Sequence, residues 1–244
     1  MTPHQIQALK DYFYLLNTYK KELFSERLRR LIILDRVRLE QFIEETGTTI
    51  GLVSENDFIY YVVDLVEARN PDGSIARNSD GSVVEYPYLR VISKRQLEGG
   101  ENVAIIATID NANLGPVGGI VLVEQERHST GEFHLELPRG FGEPGLPGQQ
   151  NALDELRKET GFVGDVANFM GETFTDTGLV DARVSFYHVP VSGRKAPNPE
   201  KGEAIKGIVI RSKEDVSECI RIGDIKDAFT VQAFMLLGIA SRAS

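Results

Sequence analysis

The sequence predicts an α+β protein in which strands lie between layers of helix, preceded by a helical extension at the N-terminus. Residues 3–45 contain no glycine and are rich in Leu, Lys, Glu and Arg, a composition typical of helices. After Gly47 the sequence changes to short apolar segments separated by turn dipeptides, which is typical of strands. Helical patterns return at residues 151–160 and 225–241. Strands flanked by helices in this way favour a layered α/β/α sandwich.

The N-terminal extension, residues 1–46, is expected to contain two helices, at residues 4–20 and 23–45. Gly47 follows the second helix and is expected to end it. The apolar residues that fall on one face of this second helix are Leu28, Ile32, Leu39, Phe42 and Ile43. A helix with such a stripe normally packs against a core or a partner, so we interpret the extension as a scaffold or dimerisation element.

Residues 47–98 are expected to form a separate segment of antiparallel strands. Two strands are predicted, at residues 58–68 and 83–94. Between them lie two turn sequences, Pro-Asp-Gly at 71–73 and Asp-Gly at 80–81, which indicate antiparallel pairing. This segment is also a candidate for dimerisation, and we expect the protein to be a homodimer.

Residues 99–244 are expected to form the main domain. Its predicted strands are residues 103–110, 118–127, 133–140, 173–178 and 182–191. A polar loop is expected at residues 193–202. The closing helix, at residues 225–241, is expected to begin behind Asp224 as its N-cap.

The composition restricts what the chain binds. Its formal net charge is -9, which disfavours nucleic acid because a surface that follows a phosphate backbone needs clustered Lys and Arg. No apolar run approaches the ~18 residues that a membrane span requires, and the N-terminus has no signal-peptide pattern. The single cysteine, Cys219, has no second cysteine with which to form a disulfide or a metal cluster. We therefore expect a cytoplasmic protein with a small-molecule partner.

The helix at residues 151–160 carries the side chains with metal-binding chemistry. Gly161 is expected to end it. Glu155 and Glu159 are four positions apart, so both carboxylates stand on one face of the helix about one turn apart. Two carboxylates in this arrangement can share a hard cation, and Mg²⁺ prefers oxygen ligands that substrate phosphates complete. Mg²⁺ is therefore the expected cofactor, with Mn²⁺ as an alternative.

Residues 140–162 resemble the signature of the Nudix hydrolase family, G-x5-E-x7-R-E-U-x-E-E-x-G-U, where U is a bulky aliphatic or aromatic residue. The positions that match this Nudix box are Gly140, Glu155, Leu156, Glu159, Gly161 and Phe162. The flanking segments, from about residue 95 to residue 240, resemble the ADP-ribose pyrophosphatase branch of the family. The resemblance implies the Nudix fold, an α/β/α sandwich with a mixed sheet, and it does not extend to the helical N-terminus.

Three positions of the Nudix box depart from the signature. Leu146 replaces its first glutamate, Asp154 its arginine, and Lys158 the middle glutamate of the helix. The family's glutamate at the position of Lys158 commonly binds metal, so a positive charge there is expected to lower metal affinity. Two hypotheses remain open. Lys158 can form an ion pair with Asp154, four positions earlier, or it can contact a substrate phosphate in place of a second metal.

The resemblance also implies a set of metal ligands. They are the carboxylates of Glu155 and Glu159, the backbone carbonyl of Arg139, and a glutamate from the late acidic loop. Glu203 matches that last position best, and Glu200 is the neighbouring alternative. The catalytic residues are expected to be Glu155, Glu159 and Glu203, with Glu203 as a general base or an additional ligand.

The substrate is expected to be a nucleotide. The basic residues expected to bind it are Arg127, Arg139 and Lys158, and Arg127 can hold a phosphate through a bidentate contact. The predicted function is Mg²⁺-dependent hydrolysis of the diphosphate bond of a nucleoside diphosphate sugar-type substrate such as ADP-ribose.

Two alternatives come from other classes of protein. The three altered positions of the box suggest a catalytically weak or inactive regulator that binds a nucleotide. A third interpretation is an interaction protein built on the N-terminal helices. It predicts that deleting residues 1–46 dissociates an oligomer while the core stays folded.

Overall fold

The computed structural model describes residues 1–19, 23, 31–199 and 202–240. The chain divides into two compact units: unit 1 consists of Met1–Glu98 and Phe174–Ala182, and unit 2 of Gly99–Thr173 and Arg183–Ser244. Every candidate site residue that the structure describes lies in unit 2. Within the described stretches, no helix combines the length and the apolar character needed to cross a membrane.

Among the residues that the structure describes, the helices of unit 1 are α1 (Pro3–Thr18), α2 (Arg36–Thr46) and α3 (Lys94–Leu97). Thr2 and Gln5 cap α1 reciprocally, because the side chain of each accepts a hydrogen bond from the backbone amide of the other, at 3.3 Å and 2.7 Å. Gly47 ends α2 in the left-handed region, with φ of 73°, and the predicted stop is confirmed.

The predicted second helix, residues 23–45, is wrong at residues 31–35, and residues 24–30 lie outside the part of the chain that the structure describes. The structure begins α2 only at Arg36, and upstream of it Ile32 forms an isolated β-bridge with Val66. This strand-like pairing satisfies the backbone there and overrides the helical spacing of the apolar side chains. Leu28, which belongs to the predicted stripe, lies outside the described residues.

The strands of unit 1 are β1 (Gly51–Glu55), β2 (Ile59–Glu67), β3 (Glu85–Ser93) and the first residues of β10 (Val180–Val191). Strand β2 pairs antiparallel with both β1 and β3, and its pairing with β3 is the one that the turn sequences predict. At the start of β10, Val180 and Asp181 pair in parallel with β3.

The apolar face of α1 belongs to the core of unit 1. Leu9 and Tyr12 are each 1% exposed and lie in one hydrophobic cluster with residues of β2. Gly51 opens β1 so close to α1 that a β-carbon there would lie 2.5 Å from the carbonyl oxygen of Ala8. Deleting residues 1–46 would remove this packing from the core of unit 1.

Between β2 and β3 lies a tandem repeat, residues 68–75 (ARNPDGSI) and 76–83 (ARNSDGSV). In each copy the aspartate accepts hydrogen bonds from the amide and the hydroxyl of the serine two positions later. Ala68, Ala76 and Val84, spaced by eight residues, join the copies through backbone hydrogen bonds of 2.8, 2.9 and 3.0 Å. The two predicted turns are therefore copies of one structural element.

The helices of unit 2 are α4 (Gly148–Thr160), α5 (Lys213–Ile222) and α6 (Ala228–Ala240). Its strands, besides the rest of β10, are β4 (Val103–Ile109), β5 (Ile120–Arg127), β6 (Glu132–Glu136), β7 (Arg139–Gly140), β8 (Phe162–Val163), β11 (Gly193–Arg194) and β12 (Ile205–Arg211). Strand β9 (Asn168–Asp176) begins in unit 2 and ends in unit 1.

The sheet of unit 2 is mixed, because β4 pairs in parallel with β10 and antiparallel with β5. Successive residues of β4 face opposite sides of this sheet. Val103 and Ile105 share a hydrophobic cluster with Leu156 of α4, whereas Ala104 and Ile106 share another with residues of α5 and α6. Helices on both faces of a mixed sheet give the predicted α/β/α sandwich.

The C-terminal helix, predicted at residues 225–241 behind Asp224, begins later than expected. The structure begins α6 at Ala228, and Asp227 caps it by accepting hydrogen bonds from the amide and the hydroxyl of Thr230, at 2.9 Å and 2.8 Å. The amide of Asp224 instead donates to a carbonyl at the end of α5. Helix α5 was not predicted, because its polar composition conceals a short apolar stripe.

Candidate metal centre

Helix α4 holds Glu155 and Glu159 on its buried side. It begins at Gly148 and ends at Gly161, whose φ of 77° confirms the predicted glycine stop. Between the two glutamates, Leu156 packs into the core and fixes the rotation of the helix. Glu155 is 7% exposed and Glu159 only 3%. Carboxylates that are buried to this extent normally have ion-pair partners or bind a metal.

A third glutamate meets this pair. One carboxylate oxygen from each of Glu155, Glu159 and Glu203 lies within 4.8 Å of the others, and we call these three residues the carboxylate cluster. Glu203, which is partly exposed, comes just before β12, a strand that β5 holds in antiparallel register. The structure thus brings together the three glutamates named from the sequence. Glu200, the alternative to Glu203, lies outside the described residues.

The electrostatics of the carboxylate cluster favour a positive ion. Burial raises the pKa of Glu159 to about 8, and the charges of Glu203 and Glu155 add to the increase. A hydrogen bond from the amide of Arg139 opposes it without compensating for it. Three oxygen ligands so close together fit a hard divalent cation, which would relieve their mutual repulsion.

The loop before α4 explains why position 140 is a glycine. A β-carbon on Gly140 would lie 2.3 Å from Cγ of Glu155, so only glycine lets this glutamate approach the loop. The amide group of Asn151 donates hydrogen bonds to the carbonyls of Glu101 and Phe141, at 3.1 Å and 3.2 Å. Asn151 is fully buried, and it therefore fixes the loop to the helix that carries the glutamates.

The two arginines expected to bind substrate are both paired with Glu136, which is fully buried. Its carboxylate lies 2.7 Å from Nε of Arg127 and 2.9 Å from Nη2 of Arg139. Asp227 lies 3.4 Å from the guanidinium of Arg139, whose backbone amide donates to Glu159 at 3.1 Å. Glu136 and Asp227 were not singled out in the sequence. Their only distinguishing feature there is that they lie close in the chain to residues that the motifs do mark.

Lys158 has a different neighbour from the one its spacing suggested. Its ammonium lies 2.7 Å from Oε1 of Glu155, three positions earlier on α4, and 3.8 Å from Oε1 of Glu143. Asp154, the partner considered from the sequence, accepts a hydrogen bond of 3.2 Å from the side chain of Gln150. The unusual lysine of the box therefore contacts the carboxylate cluster itself.

Three known proteins are similar in sequence to parts of this chain. An ADP-sugar pyrophosphatase from Mus musculus is 31% identical over 110 residues, which is 43% of this chain and 50% of the relative. A putative nudix hydrolase 2 from Caenorhabditis elegans is 41% identical over 80 residues, 32% of this chain and 36% of the relative. An uncharacterised Nudix hydrolase from Schizosaccharomyces pombe is 29% identical over 118 residues, 45% of this chain and 55% of the relative.

A solved structure of an ADP compounds hydrolase superposes with a TM-score of 0.60, covering 79% of this chain and 91% of that one at 16% sequence identity. The chain resembles the Nudix hydrolases in both sequence and fold. The predicted resemblance is thereby confirmed, and residues 140–162 resemble a Nudix box with three altered positions. The chain spans about half the length, or less, of the curated relatives it matches. No model of a protein family matches it.

Proposed function

We propose that this chain is a Nudix pyrophosphohydrolase that splits the diphosphate bond of a nucleoside diphosphate sugar-type substrate, such as ADP-ribose, with Mg²⁺ or Mn²⁺. The observation that carries the proposal is the carboxylate cluster, whose three oxygens lie within 4.8 Å of one another. The names of the similar proteins, an ADP-sugar pyrophosphatase and an ADP compounds hydrolase, support this class of substrate.

Each member of the carboxylate cluster has a proposed role. Glu155 and Glu159 hold the cation from the buried side, because α4 fixes their positions. A divalent cation bound there would polarise the diphosphate and lower the pKa of an attacking water. Glu203 is the most accessible of the three, so it is the proposed general base or additional ligand. The backbone carbonyl of Arg139 is a further proposed ligand.

The basic residues supply the proposed contacts to the substrate. Arg127 and Arg139 keep 28% and 25% of their side chains exposed although both pair with Glu136. They can therefore face a diphosphate while the buried carboxylate holds them in place. Lys158 adds a third positive charge beside Glu155. Homodimer formation and a cytoplasmic location stay predictions.

The test is the release of AMP from ADP-ribose by the purified full chain with Mg²⁺ or Mn²⁺, measured by chromatography. Glu155→Gln and Glu159→Gln are expected to lower the rate at least ~100-fold, because both remove cation ligands. Glu126→Gln is the matched control, since Glu126 is exposed on β5. If no nucleotide in a panel of diphosphates is split at high protein concentration, the proposal is wrong. Thermal stabilisation by a nucleotide without metal and without turnover would instead support a regulator.

A further inference from the structure

The ammonium of Lys158 is a positive charge in contact with one member of the carboxylate cluster, Glu155. It is 2.7 Å from Glu155 and 3.8 Å from Glu143, so it lies near two carboxylates at once. The side chain of Lys158 is 22% exposed and that of Glu155 only 9%. Charges interact more strongly in such a partly buried place than at the open surface, since less water screens them.

The backbone around Lys158 is fixed, so its ammonium has a limited reach. The carbonyl of Lys158 accepts a hydrogen bond from the amide of Asn198 at 2.8 Å, and the carbonyl of Gly161 accepts one from Lys195 at 2.7 Å. These bonds attach the last turn of α4 to the loop that leads toward Glu203. The helix therefore presents Lys158 on the same face as Glu155, three positions earlier.

We propose that the ammonium of Lys158 is a tethered cation that competes with divalent metal for Glu155. The inference rests on the proposed function, because it assumes that the carboxylate cluster is the metal site. While the ammonium contacts Oε1 of Glu155, it neutralises one of the cluster's negative charges and occupies one of the two oxygens of that carboxylate. A metal ion must displace the ammonium or bind with the remaining oxygens, and either event weakens its binding.

The test measures direct binding of Mn²⁺ to the metal-free full chain. Electron paramagnetic resonance detects the bound Mn²⁺, and no nucleotide is present. Lys158→Met keeps the aliphatic stem and removes the charge, and it is expected to tighten Mn²⁺ binding at least tenfold. Lys94→Met is the matched control, because Lys94 also forms an ion pair with a glutamate, Glu55, but in unit 1. Its Mn²⁺ affinity is expected to stay within twofold of wild type.

Two further measurements keep the test decisive. Lys158→Arg retains the positive charge and is expected to bind Mn²⁺ as weakly as wild type. In thermal unfolding, Lys158→Met is expected to be less stable than wild type without metal, because the carboxylates then repel one another uncompensated. Added Mn²⁺ should also raise the thermal stability of Lys158→Met more than that of wild type. Should Lys158→Met not fold, Lys158→Gln replaces it in both experiments.

The outcomes separate this inference from the proposed function. Equal Mn²⁺ affinity in wild type and Lys158→Met, together with AMP release by wild type, would overturn the inference alone. Failure of both proteins to bind Mn²⁺, with no turnover of any diphosphate, would overturn both. Tighter binding by Lys158→Met but not by Lys158→Arg supports the tethered cation, since a purely steric role would not follow the charge.

Discussion

Gly140 lies against the side chain of Glu155, so that a β-carbon on the glycine would come within 2.3 Å of Cγ and 2.5 Å of Cδ of the glutamate. The loop that precedes α4 thus determines where one carboxylate of the cluster can stand. Because Glu155 is buried, it has little room in which to adopt another rotamer.

Gly140→Ala is therefore expected to displace Glu155 and to lower Mn²⁺ affinity by about tenfold or more, since ligand geometry governs the binding of a hard cation. Calorimetric titration of the metal-free protein measures it. Gly207→Ala is the control, because a β-carbon on Gly207 meets nothing within 4 Å. Unchanged Mn²⁺ affinity in a folded Gly140→Ala protein would argue against Glu155 as a ligand.

Glu136→Gln is expected to destabilise the protein by about 1–3 kcal/mol, the usual loss for hydrogen bonds to charged groups. The glutamate is fully buried and pairs with Arg127 and Arg139, but the arginines reach solvent, so the cost stays below that of a fully buried pair. Urea unfolding measures the change. Glu126→Gln, an exposed glutamate of β5, should stay within about 0.5 kcal/mol of wild type.

Tyr12→Phe is expected to cost about 1–2 kcal/mol at pH 7, because the carboxylate of Asp64 loses a buried hydrogen-bond donor. Tyr14→Phe is the control, since Tyr14 is 74% exposed on the same helix. A cost at Tyr14 as large as that at Tyr12 would contradict the assignment of this hydrogen bond to the core.

The stability that Tyr12 contributes through its hydrogen bond to Asp64 is expected to depend on pH. Burial, with the nearby charge of Asp64, raises the pKa of Tyr12 well above its usual value. The folded protein therefore keeps the phenol proton after the unfolded chain has begun to lose it near pH 10. The contribution of Tyr12 is fully present below that pH and falls as pH rises, by up to about 1.4 kcal/mol per pH unit. The stability difference between wild type and Tyr12→Phe should shrink above pH 10.

Gly51→Ala is expected to destabilise unit 1 by more than about 2 kcal/mol. Its φ of 116° strains any other residue, and its β-carbon would lie 2.5 Å from the carbonyl oxygen of Ala8. Gly73→Ala has a positive φ but open space, so it should cost only about 1 kcal/mol. Comparable losses at both glycines, in thermal unfolding, would mean that α1 does not pack against β1 as described.

Local rules recovered the features that depend on neighbours in sequence. Gly47 and Gly161 end their helices because only the left-handed backbone closes those turns, and the four-residue spacing of Glu155 and Glu159 places them on one helical face. The fold class followed from the alternation of helix and strand patterns. Such features need no knowledge of what packs against them.

Features decided by tertiary contacts were not predictable in the same way. Ile32 has helical spacing but bridges to Val66, a residue that only the folded sheet places beside it. Lys158 could reach either Asp154 or Glu155 along the helix, and the choice depends on burial and on the loop that carries Glu143. The spacing of charged residues along a helix therefore suggests possible ion-pair partners but does not select among them.

The tandem repeat determines how the segment between β2 and β3 can change in length. Glu67 and Glu85 are already paired across the hairpin, and Ala68 is bonded to Val84 directly beyond them. Removing either eight-residue copy would leave the first alanine of the other copy, Ala68 or Ala76, facing Val84, with one complete Asp-Gly turn to close the loop. The segment between β2 and β3 can thus gain or lose whole copies of the repeat without shifting the register of these two strands. This makes it a suitable place to insert a label or a binding peptide.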